Sequence, residues 1–270
     1  MGGAARATTP DRGLVFDLGL HEGHDTRYYL DKGFRVVALE ANPRFCATAQ
    51  ASFAGRDCVV VERALASEAD REITFYVRDD STGWSSLFQD VAERDGRPST
   101  AVRVATTTTS ALFDTYGVPY YVKCDIEGAD GIFVAQLVAD GRAPPFVSVE
   151  IDDLEMAEQL RAAGYDRFQI VNQAHLRLYR PPNPAREGRY VPIAFHGKMS
   201  GPFGRELPPN RWVTFDALAA QLRRYQSLPE LGWLQRKLLR RWGKLTNRGW
   251  LIGQSWLDVH ATTAAELARR

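Results

Sequence analysis

The sequence predicts an α/β protein built on a mainly parallel, doubly wound sheet. Three observations carry that prediction. Short β-rich apolar runs alternate with helical patterns from residue 13 to about residue 174. Several of those runs end in an acid followed by turn chemistry, as in FDLG, ALEANP and KCDIEG. Beyond Ala174 the chain turns proline-rich, and one alternating run, SWLDVHA, returns near its end.

Taken in order, GLVFDL reads as a buried strand and TRYYLDKG as a short helix stopped by Gly33. FRVVALE is the second strand. Pro43 then opens a helix through RFCATAQASF, at the first-turn position where its missing N–H costs nothing. CVVVERAL is the third strand, REITFYVR an extra one, and DDSTGWSS a loop. AVRVATTT is β-rich and SALFDTYG a short helix. YYVKCDIE, FVSVEID and RFQIVN are strands separated by the helices GIFVAQLV and LEMAEQLRAAG. Residues 181–210 hold seven prolines and read as irregular chain, followed by the helical patterns FDALAAQLRRY and GWLQRKLLRRWGKL. In SWLDVHA, Trp256, Asp258 and His260 alternate with Leu257, Val259 and Ala261, the period of a strand.

The expected organisation is a polar tail (1–12), a core (13–174 with 255–264) and a loop-and-helix insertion (175–254) that acts as a lid before an antiparallel last strand. The competing arrangement makes LRLYR (176–180) that strand and everything after it an appendage.

Composition bounds the function. A chain with 44% hydrophobic and 25% charged residues has the material for one substantial domain, and a net charge of +1 is unlike that of a dedicated nucleic-acid clamp. Cys46, Cys58 and Cys124 are far apart with no C-x-x-C pair, which reads as free thiols rather than a zinc site or disulfide framework. No window reaches the ~18–20 apolar residues needed to span a bilayer, and MGGAARATTPDRG lacks an apolar signal region. A cytoplasmic protein is expected.

The ligand turn follows the first strand. Asp17, Gly19, His21 and Gly23 form D-x-G-x-H-x-G, unlike the G-x-G-x-x-G of dinucleotide sites. A carboxylate placed there repels a pyrophosphate and attracts an amino group. S-adenosylmethionine, with an α-amino group, a sulfonium and no phosphate, fits; the glycines allow close backbone approach. Glu40, at the end of the second strand with Ala41 and Asn42 after it, is placed to hydrogen-bond both hydroxyls of a ribose. Asp125 ends the fourth strand opposite the first turn, with Glu127 and Asp130 following it. Capping or dipole roles are the alternatives for these acids.

With these elements in view, the sequence resembles the FkbM-type methyltransferases, a branch of the class I S-adenosylmethionine-dependent enzymes with a Rossmann-like fold. The resemblance lies in DLGLHEGHDT, VVALEANP, ERALAS, YVKCDIEGAD, GYDRFQIVNQ, SGPFG and SWLDVHA. It implies that Asp17, Gly19, Gly23 and Thr26 line the methionine part of the donor, that Glu40 holds its ribose, and that Arg63 and Ala64 lie near its adenine. Where the family often has Ala-Asn between the glycines, this chain has Leu20-His21. The family is associated with O-methylation of hydroxyls on sugars and natural products.

A hydroxyl acceptor needs a proton acceptor beside it. His196 in the insertion is the favoured candidate and His175 the next, on the reasoning that the insertion emerges at the ligand end of the sheet. Trp84, Ser85 and Ser86, with Glu127, are candidate substrate contacts. Asp125 with Glu150, Asp152 or Asp153 offers oxygen ligands of the kind magnesium takes, and no metal is assigned. Residues 233–248, WLQRKLLRRWGKLTNR, read as a basic amphipathic helix, either a packed lid helix or a contact for a membrane or polyanion. The leading expectation is a methyltransferase for a small-molecule or glycan hydroxyl. Its rivals are a methyltransferase for a macromolecule or lipid, a nicotinamide-dependent oxidoreductase that would lack its fingerprint, and a non-catalytic binding protein.

Overall fold

The computed structural model describes residues 9–80, 82–151, 153–226 and 256–269. These fall into two compact units, Met1–Pro145 and Phe146–Arg270. Among the described residues the main sheet has seven strands, in the order 58–62, 35–40, 11–18, 119–124, 146–150, 257–262 and 167–172, and a second sheet has three, in the order 64–65, 100–107 and 72–77. Among the described residues no helix is long and apolar enough to cross a membrane.

In the first unit, β1 (Asp11–Leu18), β2 (Arg35–Glu40), β3 (Cys58–Glu62) and β7 (Pro119–Cys124) run parallel. Leu14, Val15, Phe16 and Leu18 of β1 and all six residues of β7 are buried, the near-continuous apolar pattern of strands covered on both faces. The helix α1 (His24–Asp31) crosses from β1 to β2, and α2 (Pro43–Ser52) from β2 to β3. Asn42 caps α2 by accepting the Arg44 N–H at 3.0 Å, with Pro43 in the first turn as the sequence predicts.

CVVVERAL does not continue as one strand. At Arg63 the backbone N–H turns to the Glu40 carbonyl, and the chain leaves the main sheet. Ala64–Leu65 becomes β4 and pairs in parallel with Thr106–Thr107 at the end of β6 (Thr100–Thr107). β5 (Glu72–Val77) pairs antiparallel with β6, so REITFYVR and AVRVATTT are partners in the small sheet. The connection between them holds α3 (Gln89–Ala92), and α4 (Thr109–Tyr116) and α5 (Asp130–Asp140) flank β7 in sequence.

In the second unit, β8 (Phe146–Glu150) and β9 (Arg167–Asn172) both pair antiparallel with β10 (Leu257–Thr262), and α6 (Leu154–Ala162) links β8 to β9. SWLDVHA therefore supplies the antiparallel last strand. LRLYR does not form a strand: Asn172 caps the next turn through the Ala174 N–H, and Gln173–Leu178 winds as a 3-10 helix. α7 (Phe215–Gln226) is FDALAAQLRRY, and α8 (Ala264–Ala268) ends the described chain. The basic stretch 233–248 lies outside the described residues, as does Asp152.

Candidate active site

The site grows from three strand ends in the first unit. Past β1, Gly19 has φ +86°, and a Cβ there would stand 1.9 Å from the Asp125 carbonyl oxygen. Only glycine lets the turn after β1 pass so close to the chain leaving β7. The Gly19 and Leu20 N–H groups both donate to the Leu39 carbonyl, and the Asp125 N–H donates to Leu18, which ties the three strand ends together. Gly23, at φ +74°, precedes α1, where a Cβ would meet the Phe53 ring at 2.9 Å. His21 between them has φ +50°, a left-handed conformation unusual outside glycine, and its ring lies edge-on to Phe45.

Glu40 is the centre of this arrangement. Its Oε2 accepts the His21 N–H at 2.7 Å and its Oε1 accepts the Asn42 N–H at 2.8 Å, so the turn after β1 and the start of α2 aim the carboxylate together. Burial raises its pKa, while the Asn42 and His21 N–H groups and the nearby Lys123 ammonium oppose the shift. Each carboxylate oxygen has two lone pairs and takes one backbone donor, so each keeps capacity for a hydroxyl. That is the acceptor chemistry a ribose diol requires, and the residues fit it.

Asp17 is 0% exposed. Its Oδ2 accepts the Thr26 hydroxyl at 2.6 Å, and its Oδ1 stands 3.2 Å from the Lys123 ammonium. The acid expected at the mouth of the turn is thus inside the protein, and Thr26 is committed to holding it. Asp125 is the acid that reaches solvent, its side chain 45% exposed and 3.7 Å from the same ammonium. Lys123 itself is buried. Burial depresses its pKa, but Asp17, Asp125 and Asp25 outweigh that and hold it well above its ordinary value. Sequence reasoning missed Lys123 as a site residue, although its charge in the otherwise apolar run YYVKC was the available signal.

After β7 the chain carries two acids with displaced titrations. Glu127, at φ +49°, is pushed up to about 7 by burial and the Asp125 charge, against the pull of Arg94 at 3.0 Å. Asp130, buried at the start of α5, is raised to about 7 by burial first and Asp125 second. Arg94 stacks on Trp84 with its guanidinium carbon 4.2 Å from the ring centroid. The Ser86 hydroxyl donates to the Glu127 carbonyl at 2.6 Å, and the Ser85 hydroxyl accepts the Arg78 N–H at 3.0 Å. The structure thus brings Trp84 and Ser86 to Glu127, and gives Ser85 a role in the loop that carries them.

On the far side of Glu40, Arg63 donates through Nη1 to Asp70 at 2.7 Å and to the Thr106 carbonyl at 2.8 Å. Ala64 is buried with Phe75 and Val104, with Ala41 packed against that cluster. These are the residues that the family resemblance places near adenine.

The favoured histidines belong to the second unit. His175 is buried in the 3-10 helix after β9. His196 is half-buried in a turn, its Nδ1 accepting the Lys198 N–H at 3.3 Å. His260, in β10, is held down to about 3 by burial and is neutral at physiological pH. Among the described residues no group of three or more His, Cys, Asp or Glu side chains is disposed to hold a metal ion. All three cysteines are free thiols; burial pushes Cys46 and Cys58 up to about 12.

The mainly parallel α/β sheet, with this carboxylate-centred turn at its strand ends, has the Rossmann-like architecture of the class I methyltransferases. The Methyltransferase FkbM domain family matches residues 17–166, more than half of the chain, and the chain belongs to that family.

Two solved structures are similar in part. One is Burkholderia thailandensis 1,6-didemethyltoxoflavin-N1-methyltransferase with bound 1,6-didemethyltoxoflavin and S-adenosylhomocysteine. It is 19% identical with a TM-score of 0.31, over 59% of this chain and 63% of that one. The other is a complex of the Haloferax volcanii Trm112 methyltransferase activator with a methyltransferase. It is 14% identical with a TM-score of 0.36, over 96% of this chain and 85% of that one. This chain thus spans less than two thirds of the first structure's length. No curated protein matches the sequence.

Proposed function

We propose that the protein transfers a methyl group from S-adenosylmethionine to a hydroxyl of a small molecule or glycan. The observation that carries the donor side is the Glu40 carboxylate, aimed by the His21 and Asn42 N–H groups with acceptor capacity to spare. Bound there, the donor supplies an electrophilic methyl on a sulfonium. Glu40 would hold its ribose, Asp125 its amino group, and Ala41, Arg63 and Ala64 would border its adenine.

The acceptor side rests on Glu127. A hydroxyl attacks a sulfonium methyl well only if its proton leaves as the bond forms. A carboxylate near neutrality does this far better than an ordinary glutamate, and Glu127 sits at about 7 within the same loop as Asp125. Trp84 and Arg94 form the wall beside it.

The test is transfer of labelled methyl to a panel of hydroxyl-bearing sugars and natural-product acceptors. On an acceptor so found, Glu127→Gln should lower kcat by about 10²–10⁴-fold with the donor KM little changed. His196→Ala and His175→Ala are run alongside. A greater loss in either histidine variant than in Glu127→Gln would move the proton acceptor to that histidine. A macromolecular or lipid acceptor would show itself as transfer confined to anionic polymers or vesicles and steeply weakened by salt.

A further inference from the structure

We propose that Lys123 is a positioning residue for the amino-acid end of the methyl donor, locking the turn after β1 to Asp125 through a single ammonium. The inference rests on the donor reading above and adds a residue to it.

A lysine ammonium has three N–H donors and no acceptor. Lys123 meets three oxygens: the Gly19 carbonyl at 2.7 Å, Asp17 Oδ1 at 3.2 Å and Asp125 Oδ2 at 3.7 Å. Lys123 is the register partner of Asp17 in the β1–β7 pair, so the two side chains leave the sheet on the same face. The turn at Gly19 then brings its carbonyl within 2.7 Å of the ammonium, and Asp125 Oδ2 stands 3.7 Å from it. Asp25, buried in the first turn of α1, adds a further negative charge to this field.

The consequence is a division of labour between two acids. Asp17 is sealed away and spends its charge on Lys123 and Thr26. Asp125 shares the ammonium at longer range and keeps an exposed face for a cationic group. A lysine present only to neutralise Asp17 would need neither the Gly19 carbonyl nor Asp125. Its hold on both makes it the link between the backbone that would cradle the methionine portion and the acid that would meet the amino group.

The structural and positioning roles separate in a double variant. Lys123→Met alone strands a buried carboxylate and is expected to destabilise the fold. Lys123→Met with Asp17→Asn removes both buried charges together and leaves an amide oxygen for Thr26. That protein, checked by thermal unfolding, is titrated calorimetrically with S-adenosylhomocysteine and with 5′-methylthioadenosine, which lacks the amino-acid portion. We expect S-adenosylhomocysteine to bind about tenfold or more weakly than to wild type, the worth of one charge-assisted hydrogen bond. We expect 5′-methylthioadenosine to bind as it does to wild type. A folded double variant that binds S-adenosylhomocysteine with wild-type affinity would overturn the positioning role and leave the donor site standing. Equal weakening of both ligands would also overturn it, because the damage would then not be specific to the amino-acid end. Wild-type protein that binds neither ligand would instead refute the donor reading on which the inference rests.

Discussion

At the scale of single residues, environment decides what each carboxylate does. Glu40, Asp17, Asp125, Glu127 and Asp130 are all acids near strand ends, yet one is aimed by backbone donors, one is sealed against a lysine, one is exposed, and two are held near neutrality. If Glu127 takes the acceptor's proton as proposed, the rate of methyl transfer should rise as pH climbs through about 7, because the carboxylate accepts a proton only when ionised, and Glu127→Gln should abolish that limb. Asp130 makes a separate prediction about stability. Its folded-state pKa of about 7 lies above its ordinary value of 3.8, so between those values the folded protein binds more protons than the unfolded chain. Stability contributed by this group is therefore present at low pH and lost as pH rises from about 4 to about 7. Asp130→Asn should flatten that decline in thermal unfolding measured from pH 4.5 to 8; an unchanged slope would show that the buried carboxyl is not its source.

At the scale of elements, apolar periodicity and cap chemistry were enough to find most of the fold. β1, β2, β7 and β8 are apolar runs of strand length, Asn42-Pro43 marks the start of α2, and SWLDVHA alternates as β10 does. Partners were harder to see. REITFYVR and AVRVATTT declare themselves strands by alternation, but nothing local says that they pair with each other; the antiparallel ladder from Glu72–Ala105 to Val77–Thr100 does that, while Arg63 holds only the end of β6 through the Thr106 carbonyl. The candidate site was legible in the same measure: the sequence located the acids and glycines, while the direction of Asp17 and its pairing with Lys123 depend on strand register. Two changes test the elements. Phe16→Ala, in the centre of β1 and 1% exposed, should cost about 3–5 kcal/mol in denaturant unfolding. Arg78, which spans Asp80, Asp95 and the Ala92 carbonyl, fastens the loop that carries Trp84 and Arg94. Arg78→Met should speed limited proteolysis between residues 79 and 99 several-fold; no change would mean that the loop is held by other contacts.

At the scale of the whole molecule, every residue assigned to the donor lies in the unit formed by residues 1–145, within the span matched by the family or immediately beside its strands. The proposed donor site is thus a property of the parallel half of the sheet, where β1, β2 and β7 end together. Titration calorimetry with S-adenosylhomocysteine on wild type and Glu40→Ala asks whether the Glu40 carboxylate at this junction holds a methyl donor. Wild type is expected to bind at micromolar concentration and the variant about 10–100-fold more weakly, the range for hydrogen bonds to a charged group. Folded wild-type protein that releases no heat with the ligand, or a Glu40→Ala protein that binds it equally well, would rule out that role for Glu40.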